Sequence, residues 1–181
     1  MDTVWYYRLF YVPVINLLVS ILLFKIIDAK RMTSPGPRKA WAVVYFMRLF
    51  FLCVLMRFVP FNIDLAFWIG IWIIVFGQVV FALGYMAMRE HPEQNKAVVD
   101  WGIYSVSRHS HVVAGEITTL GAIVMGWNFN STVYVILWVY FFVGIISTHF
   151  AILSEEKVNI EKFGRAYDEY MKRVPRYLLL K

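Results

Sequence analysis

The sequence holds a single cysteine, Cys53, and it lies inside an apolar run. A disulfide framework and a cysteine metal cluster within the chain are therefore both excluded. Charge is scarce as well. Only 17% of residues are Asp, Glu, Lys or Arg, against about 25% in an ordinary soluble domain. No internal repeat and no low-complexity tract interrupts the chain. Apolar surface takes the place of the missing charge: 60% of the 181 residues are hydrophobic, and the mean hydropathy is +0.61. A soluble fold of this length cannot hide that much apolar area, so a bilayer is the better solvent. The net charge of +6 sits beside the apolar runs. Attraction to anionic lipid headgroups explains it better than nucleic acid does. Asp2 stands where a signal peptide would carry a basic region, and no small-residue cleavage site follows, so the first apolar run reads as a retained helix.

Four long apolar segments are expected to be helices: Leu9 to Ile27, Ala40 to Val59, Ala66 to Met88, and Ser131 to Leu153. A fifth, Val112 to Gly126, is about 15 residues long, short of the roughly 20 a spanning helix needs. It either begins nearer His109 or forms one arm of a hairpin turning at Trp127-Asn128-Phe129-Asn130. Ser34-Pro35-Gly36-Pro37, Pro60 and Pro92 punctuate the boundaries. Lys30, Arg31, Arg38 and Lys39 crowd the first loop, which the positive-inside rule assigns to the cytoplasm. The N-terminus is then outside, and Arg89 to His111 and the tail from Ser154 are cytoplasmic. In the tail, Ile160, Phe163, Tyr167, Tyr170 and Val174 recur at helical spacing, which predicts one amphipathic helix running across Gly164 to Pro175. The expected architecture is an all-α, multi-pass membrane protein of about five transmembrane helices with a cytoplasmic amphipathic C-terminal helix. It is one integral membrane domain, with N-terminal helices over 1–65 and a core over 66–181.

Two polar clusters carry chemistry. One is Gly102-Ile103-Tyr104-Ser105-Val106-Ser107-Arg108-His109-Ser110-His111. The other is Glu155-Glu156 at the end of the last apolar run. Read alone, Arg108 and His109 serve as headgroup anchors, Glu155-Glu156 as a solvated helix segment, and His149 as a core histidine. In order, Gly-x-Tyr-x-x-x-Arg-His, then Gly115, the Glu-Glu pair and Phe163-Gly164-Arg165-Ala166-Tyr167-Asp168-Glu169-Tyr170-Met171-Lys172-Arg173-Val174-Pro175-Arg176 resemble the isoprenylcysteine carboxyl methyltransferases and related membrane phospholipid N-methyltransferases. The resemblance covers Gly77 to Arg176; the first two helices match it only as generic spans. Ser110 stands where that family usually has proline.

The resemblance implies a membrane-embedded S-adenosylmethionine site, with Tyr104, Arg108, His109, Gly115, Glu155, Glu156 and Tyr167 as cofactor-binding residues. Their chemistry suits it. A carboxylate such as Glu155 or Glu156 accepts hydrogen bonds from a ribose diol or an amino group. Arg108 forks onto a carboxylate, and Tyr104 or Tyr167 receives a sulfonium on its ring face. The implied acceptor is a lipid or a prenylated small molecule or peptide. Arg173 or Arg48 would orient a carboxylate acceptor; an amine acceptor would need a base such as Glu116, His111 or His149. His109, His111 and His149 lack the carboxylate–histidine spacing of a metal site, so no metal is expected. Membrane sterol reductases, which bind a nicotinamide cofactor, and a non-enzymatic membrane scaffold are the readings from other classes.

Glu116 and Arg48 stand apart because each falls inside an apolar helix. By helical rise, Glu116 lies roughly 6–10 Å deep and Arg48 about 12 Å deep. Either charge alone in hydrocarbon costs several kcal/mol, so the two are expected to pair or to share one polar cavity. Such a pair either fixes helix packing or forms a polar floor to the substrate cavity.

Overall fold

The computed structural model describes residues 8–28, 39–89, 98–127 and 131–178. The basic cluster Lys30, Arg31 and Arg38, the Ser34–Pro37 breaker, Pro92 and residues 128–130 lie outside them. Among the described residues the chain is all-helical: α1 (Tyr11–Ile27), α2 (Lys39–Arg57), α3 (Leu65–Met88), a single 3-10 turn at Gly102–Ser105, α4 (Ser110–Met125), α5 (Thr132–Phe163) and α6 (Arg165–Arg173). Arg8 and Pro60 form an isolated antiparallel bridge.

Two helices, α3 and α5, are long and apolar enough to cross a membrane by length and composition. Only 22% and 33% of their most apolar windows are buried inside the protein. The outward faces carry Trp72, Phe76, Phe142 and Ile146, whereas the core helix of a soluble protein would be mostly covered. Helices α1 and α4 are apolar but shorter, at 17 and 16 residues. Helix α2 carries Arg48 in mid-helix and Arg57 at its end.

The most extensive packing in the molecule is α3 against α4, and glycine spacing produces it. Gly70, Gly77 and Gly84 recur every seven residues and are all buried, so they fall along one side of α3. A methyl group at Gly70 would meet the Gly121 carbonyl oxygen at 2.5 Å; at Gly77 it would meet Thr118 Cγ2 at 2.5 Å. At Gly84 the same addition would strike the His111 ring. The partner residue number falls as the glycine number rises, so the helices run antiparallel, backbone close to backbone, as small residues permit in membrane helices. At its start, α3 is capped by Asp64, whose carboxylate accepts from Phe67 N–H at 3.0 Å.

The tail departs from expectation. Instead of one helix across Gly164, α5 runs unbroken past the apolar stretch to Phe163, and α6 starts afresh at Arg165. Gly164 takes φ +57 and ψ −131, a conformation strained for any side chain, and nothing lies within 4 Å of where its Cβ would be. Backbone freedom, not close packing, requires glycine there. The turn sends α6 back so that Tyr167, Tyr170 and Val174 pack on Val98.

Candidate functional site

Beyond Leu153, the polar end of α5 presents Glu156 toward the protein. The loop before α4 and the segment after α6 close over it. Gly102, at φ +58, opens the 3-10 turn that buries Tyr104. Its carbonyl accepts from the Tyr170 hydroxyl at 2.8 Å. Farther along, Arg108 N–H donates to the Pro175 carbonyl at 3.1 Å, and Ser107 Oγ donates to the Arg176 carbonyl at 3.2 Å. These bonds fasten the Val174-Pro175-Arg176 segment to the Arg108-His109 segment.

The side chains then converge on one carboxylate. Arg176 donates to Glu156 from Nε at 3.1 Å and from Nη2 at 2.7 Å. Arg108 Nη2 lies 3.0 Å from Glu156 Oε1, and His109 Nε2 lies 3.3 Å from the same oxygen. Burial alone would raise the pKa of Glu156. The His109 and Arg176 hydrogen bonds and the Arg108 charge overcome that and hold the carboxyl down at about 2. Arg108 also donates through Nη1 to the Met171 carbonyl at 2.8 Å.

Glu155, one residue away, differs in kind. It makes no hydrogen bond or ion pair among the described residues, yet its charge acts on both Tyr104 and Tyr167. Burial is the main cause that raises those two phenols, Tyr167 to about 12, and Glu155 adds to the effect. Two more buried polar atoms near this end lack partners among the described residues: Asn159 Oδ1 and Arg108 Nε. Unsatisfied acceptors and donors at this burial are costly unless a ligand meets them. Glu155 and Asn159 Oδ1 are acceptors and Arg108 Nε–H is a donor, so a ligand meeting them would carry both donor hydrogens and an acceptor.

A second polar centre lies deeper, on α2, α4 and α5. Arg48 Nη1 and Nη2 grip Glu116 Oε1 and Oε2 at 2.7 and 2.8 Å. The Thr148 hydroxyl adds a bond to Glu116 at 3.0 Å. The expected pairing is present, in its bidentate form. Between the two centres, His149 Nδ1 and the Tyr177 hydroxyl are 2.7 Å apart. Both line a groove of about 580 Å³ between α4 and α5, whose walls include Val112, Ile117, Phe141 and Ile145. Glu116 is its one charged wall residue among the described residues.

Other expected site residues go elsewhere. Arg173 pairs with Asp100 at 2.6 Å and is 64% exposed, so it does not join Glu156; Arg176 does. Gly115 borders a cavity walled by α1, α2 and α3, and its carbonyl accepts from Thr118 and Thr119 of its own helix. His111 donates to or accepts from the Tyr104 hydroxyl at 2.7 Å and stacks on that ring. Sequence reasoning overlooked Arg176, Asn159, Thr148 and Tyr177. Arg176 stood in the Val-Pro-Arg motif and carried that signal; Asn159, one turn past Glu155 on the same helix, carried a weaker one. Among the described residues no cluster of three or more His, Cys, Asp or Glu is arranged to hold a metal.

Comparison with family models, curated proteins and solved structures finds no match to this chain.

Proposed function

We propose that this chain is a multi-pass membrane enzyme that uses S-adenosylmethionine to methylate a lipophilic acceptor at its cytoplasmic end. The observation that carries the reading is the convergence on Glu156. Three separated motif segments, the Arg108-His109 loop, the Glu155-Glu156 pair and the Val174-Pro175-Arg176 tail, meet at one carboxylate. Beside it, Asn159 Oδ1 and Arg108 Nε are buried without partners among the described residues, and half-buried Glu155 lies next to them. In this reading Glu156 organises the site, and Glu155 with Asn159 and Arg108 holds the cofactor.

When bound, S-adenosylmethionine supplies a methyl carbon already activated by its sulfonium. The protein's share is alignment of the acceptor and exclusion of water. The α4/α5 groove supports a lipophilic acceptor, with an apolar tail against Ile117 and Ile145 and a reacting head near His149 and Tyr177. An isoprenylcysteine-type carboxylate is the first acceptor class; it is ionised at neutral pH and needs no base. A lipid amine is the second; His149, at the same groove, is the base available to it, because both carboxylate oxygens of Glu116 are already held by Arg48. Five spans, with the N-terminus outside, put the ends of α3 and α5 and the start of α4 on the cytoplasmic side. That agrees with all three meeting the same polar cluster.

Titration of detergent-solubilised protein with S-adenosylhomocysteine and with NADPH tests the class. The expected outcome is binding of the first alone. Glu155→Gln with Asn159→Ala should weaken it at least tenfold, about 1.4 kcal/mol, while Arg173→Ala leaves it unchanged. Binding of NADPH instead would support the reductase reading. Binding of neither would leave the scaffold.

A further inference from the structure

A separate cavity of about 290 Å³ lies between α1, α2, α3 and α4, on a different face of α4 from the acceptor groove. The two N-terminal helices supply one side of it, and α3 and α4 supply the other. Most of its wall is apolar, including Leu17, Leu49, Leu52 and Phe81. No charged residue lines it among the described residues.

Its polar groups are unevenly matched. Ser20 Oγ donates to Gln78 Oε1 at 3.4 Å, and Gln78 Nε2 donates to Asn16 Oδ1 at 3.3 Å. This chain ties α1 to α3, as interhelical hydrogen bonds do in membranes. The hydroxyls of Thr118 and Thr119 are directed to the Gly115 carbonyl at 2.9 and 2.8 Å. Every serine and threonine hydrogen on the wall is thus used inside the protein. The Asn16 amide is not: its oxygen accepts from Gln78, but its two N–H groups have no partner among the described residues. A structural tie between α1 and α3 needs only the amide oxygen, and leaves the nitrogen bordering the cavity. An occupant that accepts a hydrogen bond would satisfy that nitrogen. With no counter-charge in the wall, it must also be neutral, because an isolated ion in such a site is too costly. From the level of Pro13 to that of Ser20 the cavity follows α1 for about 10 Å, a length that suits an extended chain.

We propose that this cavity binds a neutral single-chain lipid through its carbonyl oxygen, which accepts from the Asn16 amide while the alkyl chain lies along Leu17, Leu49 and Phe81. The inference rests on the helices lying in a bilayer and not on methyl transfer.

The test uses the full chain in detergent and a long-chain methyl ketone carrying a terminal diazirine. Photolabelling should mark peptides of α1 and α2. Unlabelled ketone should compete at least tenfold better than the alkane of equal length or the corresponding carboxylate. Asn16→Leu should remove that preference and leave S-adenosylhomocysteine binding intact. Leu49→Trp, which fills the cavity without touching the hydrogen-bonded chain, should abolish labelling of α1 and serves if Asn16→Leu does not fold. Equal competition by ketone and alkane, or labelling confined to α4 and α5, would overturn the proposal. Loss of S-adenosylhomocysteine binding in unmodified protein would instead count against the methyltransferase reading alone.

Discussion

Arg48 and Glu116, 68 positions apart in sequence, face each other through two parallel hydrogen bonds of 2.7 and 2.8 Å. Both sit within apolar helices, and their side chains are 16% and 21% exposed. Stranding either charge there is expensive, about 3–5 kcal/mol when one partner of a buried pair is removed. Glu116→Gln or Arg48→Gln alone should therefore destabilise strongly, and the double substitution should recover much of the loss. A double-mutant cycle by thermal or denaturant unfolding in detergent should yield a coupling of about 0.5–3 kcal/mol, as contacting groups do. Additive losses would mean that the pair does not hold α2 to α4.

Gly144 on α5 makes room for that pair. A methyl group there would lie 2.5 Å from Arg48 Nε and Nη2 and 2.6 Å from Cζ. An unpinned arginine would swing aside, but Glu116 and Thr148 fix this one. Gly144→Ala should cost about 1–3 kcal/mol by overpacking. In a background of Arg48→Gln with Glu116→Gln the same change should be nearly silent. An equal cost in both backgrounds would place the strain elsewhere.

The clamp on Glu156 sets an acid limit. Its carboxyl is held at about 2, below its ordinary value of 4.5. A depressed carboxyl contributes stability that is fully present above the unfolded pKa and is lost as pH falls through the folded one. The tail should thus stay docked at neutral pH and loosen between about pH 4.5 and 2. Proteolysis after Phe163, followed across that window, should rise steeply. Glu156→Gln should show the loosened tail already at neutral pH, and a tail equally protected in that variant would dismiss the clamp.

Topology is open to direct labelling. In a Cys53→Ala background, a cysteine at Asn62, beside the capping Asp64, should react with an impermeant maleimide from outside intact cells. One at Glu169 on α6 should react only after permeabilisation. Labelling of both from one side would overturn the five-span arrangement.

Much of this was legible in the residues themselves. Apolar runs bounded by Pro60 and by the polar stretch before Ser110 mark the helices, because continuous apolar runs of that length are too long for strands. The pairing of Arg48 with Glu116 follows from depth alone, since two lone charges in apolar helices have few other solutions. The seven-residue spacing of Gly70, Gly77 and Gly84 lies in the sequence too, but nothing in one helix tells which partner such a stripe meets.

What the linear order could not distinguish is which of two similar neighbours does a given job. Glu155 and Glu156 are adjacent on one helix, about 100° apart around its axis. Only the direction from which the Arg108 loop and the tail approach makes Glu156 the buried clamp and leaves Glu155 unpaired among the described residues. Likewise Arg173 and Arg176 flank Pro175, and the turn at Gly164 decides that Arg176 reaches Glu156 while Arg173 reaches Asp100. The sequence by itself determined the apolar helices and the need for a buried charge pair, because these depend on local composition and on the cost of a lone charge. The tertiary structure decided the partners of Glu156, because those bonds join residues that are 20 to 48 positions apart in the chain and form only once packing has brought their helices together.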